Sequence, residues 1–377
     1  MESQSHPKGN NRVNSNAQWY KCHSLDFCKE TVARIPDRNT ILIRMQNTTA
    51  VVVLGMHRSG TSALAGSLNI LGVQFGKSLL LPQADNPRGF WEHKEIVDLN
   101  DRILAALGSS WDDVRPLPHS WWTDERVTPF RAEIVRVLRR DFASARLWGI
   151  KEPRICRLVP LWCDILDELG CHACFVLIHR HPLEVASSLR RRNGFEVRKS
   201  GLLWLEHNLL TEKWTRGRSR IFASYDQILG QPEAVFVKIS KMIGQSAGVR
   251  TQHQIDAVRD FLAPSLRHHE SDPENWGAEF GEYQSLIEKA YQVLLTRCRD
   301  DTPSEDQNFD RLFQAYQSIT SKFNPTLTAH IEDLTLRIGE LRDEIDRITP
   351  WKSWKITELL REGKRLMVGT GKGAIPK

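Results

Sequence analysis

The sequence predicts an α/β fold: a three-layer sandwich with a central parallel sheet, extended at its C-terminal end by a helical or coiled-coil segment. Three observations predict it. Four short apolar runs, 51–54, 147–150, 175–178 and 221–223, have the length and character of buried strands. They are separated by stretches long enough for helices, which suits parallel strands covered on both faces. Beyond Pro325 the pattern changes to apolar residues recurring at alternating spacings of four and three.

Composition sets the outer limits. The chain has 377 residues, 40% hydrophobic and 26% charged, which is ordinary for a globular protein with a full core. A formal charge of +6 suits an anionic ligand but is too weak to imply nucleic acid. Seven scattered cysteines do not form a disulfide framework, and Cys171 and Cys174, with no second such pair, are read as buried thiols rather than a zinc site. The N-terminus is too polar for a signal peptide, and no stretch reaches the length of a membrane span. The expected location is cytoplasmic or peripheral to the inner membrane face.

Along the chain, residues 1–18 are polar and expected to be disordered. The main domain is assigned to 19–320, with its core at 49–270. Each predicted strand is followed by a distinctive polar residue: Arg58, Lys151, Arg180 and Tyr225. Ligands of open α/β sheets bind outside the carboxyl ends of the strands, so these four residues are candidates for one site.

The first run leads into "LGMHRSGTSALAGSL", 54–68, which has the glycine spacing of a phosphate loop. A magnesium-triphosphate loop would place Lys before its Ser or Thr, whereas here Gly60 is followed by Thr61 and Ser62. Backbone N–H groups at the start of the following helix, with the hydroxyls of Ser59, Thr61 and Ser62 and the guanidinium of Arg58, make an anion site that needs no loop lysine. The helix is expected to put Leu64, Leu68 and Leu71 on one face. The third run leads into "FVLIHRHPLEVASSLRRR", 175–192. Pro182 suits a first helical turn, and Ser188 and Arg192 then share one face, so that they and Arg180 can converge on a dianion.

A Gly-x-x-Arg-Ser-Gly-Thr-Ser loop after the first strand, then a strand ending in Arg-x-Pro with Ser eight residues beyond the Arg, resembles the sulfotransferases that use 3′-phosphoadenosine 5′-phosphosulfate (PAPS). The resemblance runs over roughly 50–270 and is nearest to bacterial members acting on carbohydrate or cell-surface glycans. It implies that Arg58, Ser59, Gly60, Thr61 and Ser62 hold the 5′-phosphosulfate, and that Arg180, Ser188 and Arg192 hold the 3′-phosphate. "GIKEPR", 149–154, resembles the family's Lys-Asp-Pro segment, with Glu152 in place of Asp and Lys151 as the residue at the transferring sulfuryl group. "SYDQILGQPEAV", 224–235, is similar to a segment near the nucleotide, and it contributes Tyr225. "SLRHHE", 265–270, resembles a late basic segment of bacterial members.

What the resemblance implies is in-line transfer from PAPS to an acceptor hydroxyl, with Arg58 and Lys151 meeting the growing charge and no metal required. An acceptor hydroxyl also needs a base. In "NPRGFWEHKE", 86–95, the candidate is Glu92, followed by His93 and then Glu95. "SSWDDVRPLPHSWW", 109–122, carries three Trp that suit a sugar or lipid-linked acceptor, or equally pack beneath a long loop.

In the C-terminal segment, 326–349, Leu327, Ile331, Leu334, Ile338, Leu341, Ile345 and Ile348 form a heptad seam for a short coiled coil or an amphipathic helix. The basic tail 350–377 suits a membrane surface or a partner, so the expected contacts are a glycan acceptor and a homodimer or peripheral membrane contact through this helix. Two other classes stay open: a phosphate-loop nucleotide kinase, and a non-catalytic nucleotide-binding scaffold in a polysaccharide-assembly complex.

Overall fold

The computed structural model describes residues 45–83, 86–244, 252–262, 276–299, 306–323, 334, 337–345 and 347. All four predicted runs are strands, each somewhat longer than its apolar core: β1 (Thr49–Leu54), β2 (Leu147–Lys151), β3 (His172–His179) and β4 (Ser219–Ser224). They form one parallel sheet in the order β2-β1-β3-β4. β1 lies centrally, its Val52 opposite Ile150 on one side and Phe175 on the other.

Because successive side chains alternate between faces, the strands feed two separate cores. Ala50, Val52 and Leu54 of β1, Trp148 and Ile150 of β2, and Phe175 and Leu177 of β3 enter the larger one. Val51, Val53, Val176, Ile178, Ile221 and Ala223 enter the smaller. An apolar run without alternation is thus what a strand buried on both faces requires.

Over the smaller core lie α1 (Thr61–Ile70), α7 (Tyr225–Gly230), α8 (Pro232–Met242) and α9 (Gln252–Phe261), through residues such as Leu64, Ile228, Phe236 and Val258. Leu64 and Leu68 of α1 are buried as expected, while Leu71 falls just past the helix end as its cap. The larger core is filled by α2 (Lys94–Ala106), α3 (Thr128–Phe142), α4 (Ile155–Leu169), α5 (Pro182–Asn193) and α6 (Val197–Trp214). α10 (Gln284–Arg299) and α11 (Asp306–Thr320) join the same core through Tyr291, Leu294, Phe309 and Leu312. Helices therefore cover both faces, as the predicted sandwich requires.

Helix starts follow their local signals. Pro182 is in the first turn of α5, where its missing N–H costs no hydrogen bond. Ser224 caps α7 in a reciprocal box: its hydroxyl accepts from the Gln227 N–H, and the Gln227 side chain accepts from the Ser224 N–H.

The five described cysteines are free. Cys174 is drawn into β3, and burial pushes both its thiol and that of Cys171 up to about 11. Among the described residues no helix is long and apolar enough to cross a membrane. Residues 337–345 are helical, and Leu334, Ile338, Leu341 and Ile345 of the heptad seam are exposed. The rest of that seam, the basic tail, the segment 265–270 and residues 1–44 lie outside the described residues.

Candidate active site

A cavity of about 420 Å³ opens at the carboxyl edge of the sheet, where β1 passes into α1. Its walls include Arg58, Gly60, Thr61 and Ser62 from that loop, Glu92 from the segment before α2, and Lys151 from the end of β2. Arg180, Arg192 and Tyr225 line it as well. The four residues that follow the predicted strands therefore meet in one place.

Backbone geometry explains the loop. Gly60 caps α1 with φ 88°, a left-handed conformation that favours glycine. A Cβ there would also run into the ring of Tyr225, while at Gly55 it would meet the backbone oxygen of Ile178. Arg58 itself has φ 69°, a conformation that costs a non-glycine residue about 1–2 kcal/mol. Such strain persists where the surroundings over-determine it. Beneath the loop, the thiol of Cys156 accepts the Gly55 N–H at 3.1 Å. Burial holds that thiol well above its ordinary range, so it is inert packing.

At one end of the cavity three groups meet. The Lys151 ammonium, 2% exposed, pairs with Glu92 and donates to Ser62 Oγ at 3.3 Å. Asn86 Nδ2 donates to the same Ser62 oxygen at 3.1 Å. An ammonium has three donors, so Lys151 can serve Glu92 and Ser62 and still reach a ligand.

The three candidates for the base separate cleanly. Glu92 lines the cavity, whereas His93 is fully buried and pairs with Asp141 at 2.8 Å. Glu95 turns to Arg140 at 2.5 Å, and that guanidinium holds its carboxyl below the usual range. Left-handed backbone at Gly89 and Trp91 shapes the segment that brings Glu92 inward.

The guanidinium groups form a second set of contacts in the wall. Arg58 Nε donates to Ser188 Oγ at 2.8 Å, and Arg180 Nη1 to the Arg58 carbonyl at 3.4 Å. Arg180 also pairs with Glu184 at 2.5 Å and lies over the Tyr225 ring, 4.6 Å from its centroid. Arg192 reaches the cavity from the end of α5 and lies 5.5 Å from the centre of the Trp111 ring. Ser188 is buried beneath Arg58 and is not part of the lining. Ser59 departs from the expected pattern: it is fully buried and lies outside the lining.

Several lining residues were not singled out from the sequence. Arg154 pairs with Glu152 at 2.6 Å and with Asp101, and it carries positive charge to the wall. Glu152 is fully buried, accepts from Asn100 Nδ2 at 2.6 Å, and has its carboxyl pushed up by burial. His57 lies 4.4 Å from Trp111, centre to centre, and burial, with the positive charge of Arg154 and Arg192, pushes its imidazole well below the usual histidine range. Among the described lining residues, six Lys or Arg side chains face one carboxylate, Glu92. Glu184, Glu152 and Asp101, behind the wall, partly balance these cations, and the remaining positive charge favours an anionic ligand.

No family model matches the chain, and no curated relative matches it significantly. Among solved structures it is similar to the sulfotransferase domain of the Synechococcus PCC 7002 olefin synthase, with a TM-score of 0.38 at 16% identity over 66% of this chain and 96% of that one. It is also similar to the sulfotransferase domain from the curacin biosynthetic pathway, with a TM-score of 0.35 at 14% identity over 66% and 98% of the two chains. For sulfotransferase STF9 from Mycobacterium avium the TM-score is 0.37 at 16% identity, over 67% and 76%.

Proposed function

We propose that the chain is a sulfotransferase that moves the sulfuryl group of PAPS to a hydroxyl of a carbohydrate or cell-surface glycan. One observation carries this reading: a cavity lined by six cations contains the buried Lys151–Glu92 pair beside Ser62, at the start of a phosphate-loop helix that lacks the loop lysine. The strained, glycine-bounded turn suits close approach of a phosphate to backbone N–H groups.

In this reading the N-terminus of α1, with Thr61 and Ser62, holds the 5′-phosphosulfate. Arg180 and Arg192 hold the 3′-phosphate, and Tyr225 stands beside the nucleotide. Arg58, tied to Ser188, belongs with that phosphate clamp and adds charge to the loop. The acceptor hydroxyl oxygen attacks sulfur as the bond from sulfur to the bridging phosphate oxygen breaks. Its proton passes to Glu92, and adenosine 3′,5′-bisphosphate leaves. Lys151 meets the negative charge on the transferring group and the departing oxygen, so the rate arises from positioning and fixed charge.

The glycan acceptor is supported by the resemblance of the body to bacterial members and by Trp111 on the cavity wall, whose indole face suits a sugar. In this reading the reaction takes place where the nucleotide donor is made, on the cytoplasmic side. The exposed seam of Leu334, Ile338, Leu341 and Ile345 is read as the contact for a second copy.

The test is transfer itself. The full chain, incubated with PAPS and a panel of oligosaccharides in the presence of a metal chelator, is expected to release adenosine 3′,5′-bisphosphate in step with sulfated sugar. Turnover of magnesium-ATP in place of PAPS would replace this reading with the kinase.

A further inference from the structure

The Trp-rich segment 109–122 does not serve one site only. Trp111 lines the cavity described above, while Trp121 and Trp122 line a second cavity of about 410 Å³ that shares no residue with the first. The second cavity lies between this segment, α6 and α11.

Its walls are aromatic. Trp122 and Trp214 meet at 69° with ring centres 5.0 Å apart, and the Lys213 ammonium lies 4.0 Å from the centre of the Phe313 ring. The innermost lining is polar. Arg157, Glu206 and Tyr316 are 1%, 1% and 3% exposed. Arg157 Nε pairs with Glu206 at 3.1 Å, and its other nitrogens go to carbonyls of the same Trp-rich segment, Ser110 and Arg115. The buried Tyr316 hydroxyl stands against the Glu206 carboxyl and interacts with it. Burial pushes the Glu206 carboxyl up to about 7 against the opposing pull of Arg157.

We propose that this second cavity is a binding site for a neutral or weakly charged saccharide unit. Flat indole faces at an angle receive the C–H face of a pyranose, and the Glu206 carboxyl, held in place by Arg157, and the Tyr316 phenol receive its hydroxyls. A lipid tail or a plain aromatic ring would leave the Arg157–Glu206 pair and the Tyr316 hydroxyl against hydrocarbon, which is unfavourable. Binding there needs no donor nucleotide, so the site stands whether or not the transfer reading does. If both hold, one segment links two sugar contacts, and a long glycan would be gripped away from the hydroxyl that reacts.

Saturation-transfer NMR on the full chain without nucleotide tests it, with maltotetraose, chitotetraose and cellotetraose as probes and anilinonaphthalene sulfonate as an apolar control. At least one sugar is expected to receive saturation. Tyr316→Phe, which removes one hydroxyl and keeps the ring, is expected to weaken that sugar by about 3–10-fold. Trp122→Ala, which removes an aromatic wall of this cavity alone, is expected to weaken that sugar further than Tyr316→Phe does. No signal from any of the three sugars, binding of the dye alone, or a sugar signal indifferent to both Tyr316→Phe and Trp122→Ala would overturn the proposal.

Discussion

Replacing Glu92 with glutamine is expected to lower kcat by about 10²–10⁴-fold, the usual worth of a positioned general base. The amide keeps the shape of the carboxyl and accepts a hydrogen bond from Lys151, but it cannot take the acceptor's proton. Bisphosphate affinity should not fall, because the substitution removes a negative charge beside the 5′-phosphate and leaves the guanidinium groups in place. A kcat loss without a matching loss of bisphosphate affinity is the expected pattern, read by steady-state kinetics beside calorimetry. Glu92→Ala is a poorer probe. It leaves Lys151, 2% exposed, as a buried charge without this partner, at a cost in stability of about 3–5 kcal/mol. An active Glu92→Gln enzyme would move the base elsewhere, and the positions of His93 and Glu95 argue against either as its replacement.

Arg180→Ala is expected to weaken adenosine 3′,5′-bisphosphate by at least about 30-fold, corresponding to the 2 kcal/mol or more lost with one partner of a buried charge pair. Arg180 is held for this role. Glu184 fixes its Nε side, and the Tyr225 ring packs against the guanidinium plane. Arg180→Lys should recover little, because an ammonium has neither the planar fork nor the stacking face. Calorimetric titration gives the affinity, and a parallel urea melt separates it from any loss of stability through buried Glu184. Unchanged affinity in a folded Arg180→Ala would remove Arg180 from the phosphate clamp.

Much of this site was legible because parallel strands end on one edge. Runs 51–54, 147–150, 175–178 and 221–223 announced themselves by being apolar without alternation, and the polar residue after each strand was therefore placed with it. The assembly of Arg58, Lys151, Arg180 and Tyr225 around one cavity follows from topology alone. What spacing could not give was the direction of side chains in irregular segments. Glu92, His93 and Glu95 are within four positions of one another, yet only Glu92 enters the cavity. The signal that could have separated them was the chain conformation at Gly89 and Trp91, which only the folded structure shows. Ser59 illustrates the opposite case, where a hydroxyl in a motif position is buried away from the lining. Arg154 was legible as part of "GIKEPR", but its place on the wall depends on Asp101, which is over fifty residues away. The split of the Trp-rich segment between two cavities has no counterpart in its sequence, since it arises from α6 and α11 closing over one end of it.

The central claim is that the loop grips a nucleotide carrying a 3′-phosphate and needs no loop lysine to do so. The most direct measurement is a thermal-shift titration of the full chain with adenosine 3′,5′-bisphosphate, set against ATP with and without magnesium. At 100 times its dissociation constant a ligand stabilises the fold by about 2.7 kcal/mol, which is readily seen. The account predicts stabilisation by the bisphosphate in the presence of chelator, and its loss in Arg180→Ala. Stabilisation by magnesium-ATP alone, with no response to the bisphosphate, would contradict it.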